Sequence, residues 1–147
     1  MHYTKQNTAM YSLQRFLDAQ KDHYFIALRE MKEGAKRSHW IWYIFPQIQG
    51  LGSSPESRIY GLSGLEEAKE FLDHPVLGTR LREITQEVLN HADSSIKTIM
   101  GSRIDVMKLK SSMTLFDAVS PDDIFARVLN TFYNGARDGL TIDKLSK

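Results

Sequence analysis

The chain has 147 residues, with 19 basic and 18 acidic side chains and a formal net charge of +1. That length suits one domain with a core large enough to need no covalent staple, and 41% hydrophobic against 25% charged residues excludes a chain too polar to fold. The balanced charge lacks the basic footprint of a duplex nucleic-acid binder, and the absence of cysteine excludes disulfides, thiolate zinc sites and a thiol nucleophile.

The first residues, Met1-His2-Tyr3-Thr4-Lys5, carry no apolar signal-peptide core, and the longest apolar run, Ile41 to Pro46, is far too short to span a bilayer. The expectation is a soluble, cytoplasmic protein without a membrane partner. It would have a tail over residues 1–10 and one domain over 11–145.

Between Tyr11 and Glu33, residues such as Phe16, Gln20, Tyr24, Ala27 and Met31 recur at helical steps. One helix or two with a bend near Ala19 to Lys21 fit equally, and Gly34 suits a left-handed terminus. Ser38 can cap a short turn that must stop before Pro46, since proline disfavours α geometry in its predecessor. Gln47 to Ser54, with Gly50 and Gly52, reads as a loop. Ser54-Pro55-Glu56 has the order cap, first helical residue, acidic first turn.

Ser63-Gly64-Leu65-Glu66 has capping-box spacing and opens a helix to about Leu72. Asp73-His74-Pro75 opens another, with Leu77, Leu81, Ile84 and Val88 as its apolar stripe. Ser94 or Ser95 precedes a short helix ending at Gly101. A helix over Asp105 to Ala118 follows, with Leu109, Met113 and Phe116 facing inward. Ser120-Pro121-Asp122-Asp123 predicts a helix beginning within about two residues of Ser120, carrying Phe125 and Leu129 inward and stopping at Gly135. Thr141 would cap a last turn. No segment alternates as a strand does, so the fold class is all-α: an irregular bundle of about six to eight short helices.

Two segments could carry chemistry. Lys36 to Gln47 holds both tryptophans of the chain, with His39, two cations and an amide, ahead of the glycine loop. Rings that stack, cations that pair with anions and backbone that approaches closely can hold a planar or phosphorylated ligand. The competing reading is a core plug, which the burial tendency of tryptophan favours for Trp40 and Trp42, as it favours a structural role for His39. On the second segment, a helix places Asp105, Lys108 and Ser111 or Ser112 on one face, which, taken alone, reads first as a solvated ion pair. The histidines at 2, 23, 39, 74 and 91 show no metal-ligand spacing. No dinucleotide, Walker or nucleophile-elbow motif occurs, so no cofactor is expected.

The stretch His39-Trp40-Ile41-Trp42-Tyr43-Ile44-Phe45-Pro46-Gln47, followed by Gly50-Leu51-Gly52 and Ser54, resembles the hallmark of a bacterial and fungal family known as domain of unknown function 1810. His74-Pro75-Val76-Leu77-Gly78, Asp105 to Lys108 and Ser111 to Phe116 look like the same family. The resemblance spans about residues 11–140, with Ile41 standing where methionine is more usual. It implies an all-α fold and no established activity. It joins the two segments in one signature, which singles out Lys36, His39, Trp40, Trp42, Gln47, Ser54 and Ser111 as ligand-binding candidates, with Asp105 and Lys108 as catalytic ones. A fainter similarity runs to helical proteins that handle ADP-ribose-like and riboflavin-precursor nucleotides.

The leading expectation is therefore a pocket for a small phosphorylated or nucleotide-like ligand. If it is an enzyme, it is an N-glycosidase or related hydrolase with Asp105 as acid or base and Lys108 setting its charge. The alternatives are a protein-interaction module with an exposed Trp-rich segment and a signature that only carries folding information. If the signature is a site, its two segments must meet in the fold beside a concavity.

Overall fold

The longest helix, α1 (Gln14–Glu33), runs unbroken through Ala19 to Lys21 and ends at Gly34 with φ +78°. The bend allowed by the sequence does not occur, because Phe16, Gln20, Tyr24, Ala27 and Met31 form one continuous buried stripe. The computed structural model describes residues 12–147, so the expected tail and Tyr11 lie outside the described residues. Eight more helices follow: α2 (Ile41–Ile44), α3 (Pro55–Tyr60), α4 (Leu65–Asp73), α5 (Leu77–Leu89), α6 (Ile96–Met100), α7 (Arg103–Val119), α8 (Ile124–Phe132) and α9 (Gly139–Leu145).

The bundle is organised around α7. Its run Ser111 to Phe116 is buried without a break, a pattern that only a helix surrounded by others can sustain. It packs against α2, α4, α6, α8 and α9, while α1, α5 and α8 close the far side. Aromatic rings thread this core: Phe16 meets Phe71 edge-on at 5.0 Å, Phe71 meets Phe116 at 5.6 Å, and Phe116 meets Phe125 at 5.6 Å. Among the described residues there is no strand, only a single bridge between Ile48 and Leu62 that pins the loop after α2 to the segment before α4. No helix of the described residues is long and apolar enough to cross a membrane.

Several helix starts differ from the sequence reading in which residue caps them. Ser54 does cap α3, its hydroxyl accepting from Ser57 N–H at 3.1 Å, and Ser95 caps α6. The α5 start uses the His74 ring, whose Nδ1 accepts from Val76 N–H and Leu77 N–H. Ser63 N–H is met by Glu67 rather than Glu66. Helix α7 starts earlier than expected because Ser102 caps it, and α9 is capped by Asp138, which binds both N–H and hydroxyl of Thr141.

The Ser120 prediction is the clearest miss: α8 begins at Ile124, with Asp123 as its cap. Arg82 grips both oxygens of Asp123 at 2.9 Å and Ser120 donates to it at 2.7 Å. That clamp displaces the start past Pro121 and leaves Asp122 at φ +57°, a conformation aspartate tolerates better than most residues.

The inward register of α8 is as expected, with Phe125 and Leu129 fully buried. Phe125→Ala should cost about 3–5 kcal/mol in urea-unfolding free energy, through lost burial and a residual cavity; a loss under about 1 kcal/mol would contradict this packing. A second constraint lies at Gly78, where a Cβ would stand 1.9 Å from the Leu72 carbonyl oxygen. Gly78→Ala should therefore lower stability by about 1–3 kcal/mol or more, although alanine is the better helix former.

Candidate functional site

The turn after α1 is built on Glu30, a carboxylate only 4% exposed. It accepts from Arg37 N–H at 2.8 Å, Ser38 N–H at 3.0 Å, Ser38 hydroxyl at 2.6 Å and Trp40 Nε1–H at 2.9 Å. Burial alone would raise its pKa, but these four donors outweigh that and hold it down at about 2. Ser38 is thus a ligand of Glu30 and not the cap of α2, which begins one residue after Trp40.

Trp40 is 1% exposed. Its ring lies under the Lys36 ammonium, 4.8 Å from nitrogen to centroid. Lys36 Nζ also donates to Ser38 O at 2.6 Å and pairs with Asp105 at 2.8 Å, with its side chain only 5% exposed. The segment that leads into the aromatic turn and the start of α7 are therefore joined by an enclosed ion pair. The joining residue is Lys36, however, and not Lys108. The i, i+3 pair between Asp105 and Lys108 does not form.

Beside this junction lies an open cleft of about 400 Å³, walled by Lys36, His39, Trp42, Ser54, Asp105 and Lys108, with Gly101 and Ser102 at its floor. A second, smaller cavity of about 190 Å³ continues past Lys108 and Ile104 and contains Gln47 and Ser111. Every candidate except Trp40 faces one of these hollows. Trp40 is corrected to a core residue: its N–H and its ring face are both engaged internally, so it offers no surface to a ligand.

The remaining candidates divide by whether their polar atoms are already in use. Lys36 is satisfied by Asp105, Ser38 and Trp40. Ser54 is engaged with Ser57, and Ser111 donates to Met107 O at 3.1 Å. Among the described residues, the Lys108 ammonium, the His39 ring and the Gln47 amide have no hydrogen-bonding partner, and the Trp42 indole N–H is buried without one. Asp105 keeps one oxygen outside the Lys36 pair, with its side chain 17% exposed. Because Lys36 and Asp105 neutralise each other, the half-buried Lys108 is the cation left without an ion-pair partner where the two hollows meet, and the Asp138 carboxylate, which caps α9, lines the smaller of them. Among the described residues, no cluster of histidine and carboxylate could hold a metal ion.

Sequence reasoning missed Glu30, which organises the turn. The available signal was a lone acid between Ala27 and Met31 on a stripe that faces the core. It also missed Leu51, Met107, Asp138 and Leu140, which complete the smaller cavity from three separate segments.

Glu30 predicts an acid sensitivity with a definite sign. Its folded pKa of about 2 lies below the ordinary 4.5, so its contribution is complete above about pH 5 and declines as pH falls through that interval. The full contribution is about 3 kcal/mol. In urea titrations, the stability gap between the wild type and Glu30→Gln should narrow by about 2 kcal/mol from pH 6 to pH 3. A gap independent of pH would mean that Glu30 is not held ionised by its four donors.

No curated protein matches the chain. Among solved structures, the crystal structure of the conserved hypothetical protein Rv1873 from Mycobacterium tuberculosis is similar, with 42% identity and a TM-score of 0.89 over 93% of this chain and 98% of that one. The sequence profile described as protein of unknown function (DUF1810) matches residues 10–145. With that match covering nearly its whole length, the chain belongs to this family.

Proposed function

We propose that the cleft between the aromatic turn and α7 binds a small phosphorylated or nucleotide-like ligand, with Lys108 as the anion's partner. The observation that carries this reading is the state of Lys108: half-buried on a concave wall, without a counter-ion among the described residues, beside a neutral Lys36–Asp105 pair. A partly desolvated charge is costly unless paired, and an incoming anion would supply the pair. Trp42 adds an aromatic wall, and His39 adds a second free ring at the rim. A cytoplasmic setting, where such metabolites are made and consumed, belongs to the proposal.

The hydrolase form of the reading assigns Asp105 as the base, since one of its oxygens is outside the ion pair. The cation beside it is Lys36, rather than Lys108. The interaction-module alternative needed both tryptophans on a flat exposed face. Trp40 is internal and Trp42 lines a hollow, so the geometry favours the pocket.

A thermal-shift screen against inorganic phosphate, sugar phosphates, nucleotides and ADP-ribose tests the reading. A ligand at one hundred times its dissociation constant stabilises by about 2.7 kcal/mol, well within detection. Lys108→Ala should leave the melting temperature of the free protein within about 2 °C while removing most of the ligand-induced shift, since Lys108 makes no internal bond. No shift with any phosphorylated compound, or an undiminished shift in Lys108→Ala, would refute the assignment.

A further inference from the structure

Exposed aliphatic side chains gather at the smaller of the two hollows, and this carries an inference that rests on the proposed anion site and specifies its ligand. The cleft holds the Lys36–Asp105 pair and Lys108 among apolar residues that include Ile41, Trp42, Met100 and Ile104. The smaller cavity is walled by Leu51, Ile104, Met107 and Leu140, with a polar edge formed by Gln47 and Asp138. Ile104 and Lys108 line both, so the hollows adjoin across one turn of α7. Ile104, Met107 and Leu140 are 65%, 61% and 64% exposed, although each is a large aliphatic side chain. Isolated exposed aliphatics need no explanation, but three gathered around one concavity mark a surface that something covers.

The polar edge decides what kind of group fits. A purely aliphatic chain would leave the Gln47 amide, which has no internal partner, still unpaired. A planar heterocycle presents apolar faces to Met107, Ile104 and Leu140 while its edge offers donors and acceptors to an amide. The anion binding beside Lys108 also fixes where such a group can go, because Lys108 stands at the boundary.

We infer that the two hollows form one bipartite site for a nucleotide: the phosphate lies in the cleft against Lys108, the sugar crosses the boundary at Ile104, and the base lies in the smaller cavity against Met107 and Leu140 with its edge at Gln47. Lys108 holds the phosphate from the cleft side of that boundary. Trp42 then flanks the sugar-phosphate and does not stack on the base, which differs from the role its aromaticity first suggests.

Isothermal titration of the wild type with ribose 5-phosphate, adenosine 5′-monophosphate and guanosine 5′-monophosphate separates the possibilities. At least one nucleotide should bind tenfold or more tightly than ribose 5-phosphate. In Leu140→Asp, which places a charge at an exposed position in the first turn of α9 and leaves the circular dichroism spectrum and melting temperature as controls, that ratio should collapse towards one. In Gln47→Ala the discrimination between adenine and guanine should change. Equal binding of ribose 5-phosphate and both nucleotides would overturn the bipartite site while leaving the anion site intact. A nucleotide preference that survives Leu140→Asp would place the base elsewhere and also overturn it. Failure of all three ligands to bind would overturn this inference together with the anion site.

Discussion

Glu30 holds four hydrogen-bond donors within one carboxylate, and all three residues that supply them lie in the turn that follows its own helix. A buried carboxylate left unpaired would be severely destabilising; one with this many donors remains ionised and fixes the path of the backbone. Once Arg37, Ser38 and Trp40 are held, the Trp40 ring is in the core and Lys36 has only one arrangement available. It lies over that ring, with its ammonium directed at Ser38 O and Asp105. The turn after α1 is thereby tied to the first turn of α7, because the ion pair joins the two. Gly101 contributes a tight approach on the same side, its φ of +85° setting it against the Lys36 carbonyl. The cleft is thus a consequence of how Glu30 orders the turn, and its walls exist before any ligand arrives.

Much of the fold was legible because it depends on periodicity and on short-range capping. The stripes of α1, α5, α7 and α8 follow from spacing alone, and Phe125 and Leu129 face inward as read. The misses share a cause: side chains far apart in sequence that override a local signal. Arg82 takes Asp123 and moves the α8 start beyond Pro121; no local pattern in Ser120 to Asp123 contains Arg82. Ser38 looks like a cap by its neighbours and is instead claimed by Glu30 from the preceding helix.

The candidate site was legible in location but not in assignment of roles. The two segments do meet. Yet the cation that pairs with Asp105 is Lys36, and the tryptophan facing the cleft is Trp42 alone. Sequence spacing favoured Lys108 for Asp105 because they share a helix face. An exposed i, i+3 pair contributes only a few tenths of a kcal/mol, which a more enclosed partner over an aromatic ring readily exceeds. Nothing within the Lys36 to Gln47 stretch distinguishes one tryptophan from the other. The distinction comes from Glu30, which draws the Trp40 N–H inward and has no counterpart for Trp42.

The same competition explains why Lys108 is available. Had Asp105 paired along its own helix, the cleft would hold an internally neutral Asp105–Lys108 couple, and Lys36 would carry the unpaired charge in a position too enclosed to reach a ligand. The observed pairing reverses this: the enclosed cation is neutralised and the accessible one is left over. Lys108 also projects from α7, whose following turns are buried on every side, so its backbone is held by the whole bundle and little order remains to be imposed on binding. Trp42 and Gln47 are comparably fixed, the first by the short helix α2 and the second by the bridge that ties Ile48 to Leu62. Groups without partners, borne on backbone that cannot relax to satisfy them internally, can be paired only from outside, and Lys108, His39 and Gln47 line two adjoining hollows.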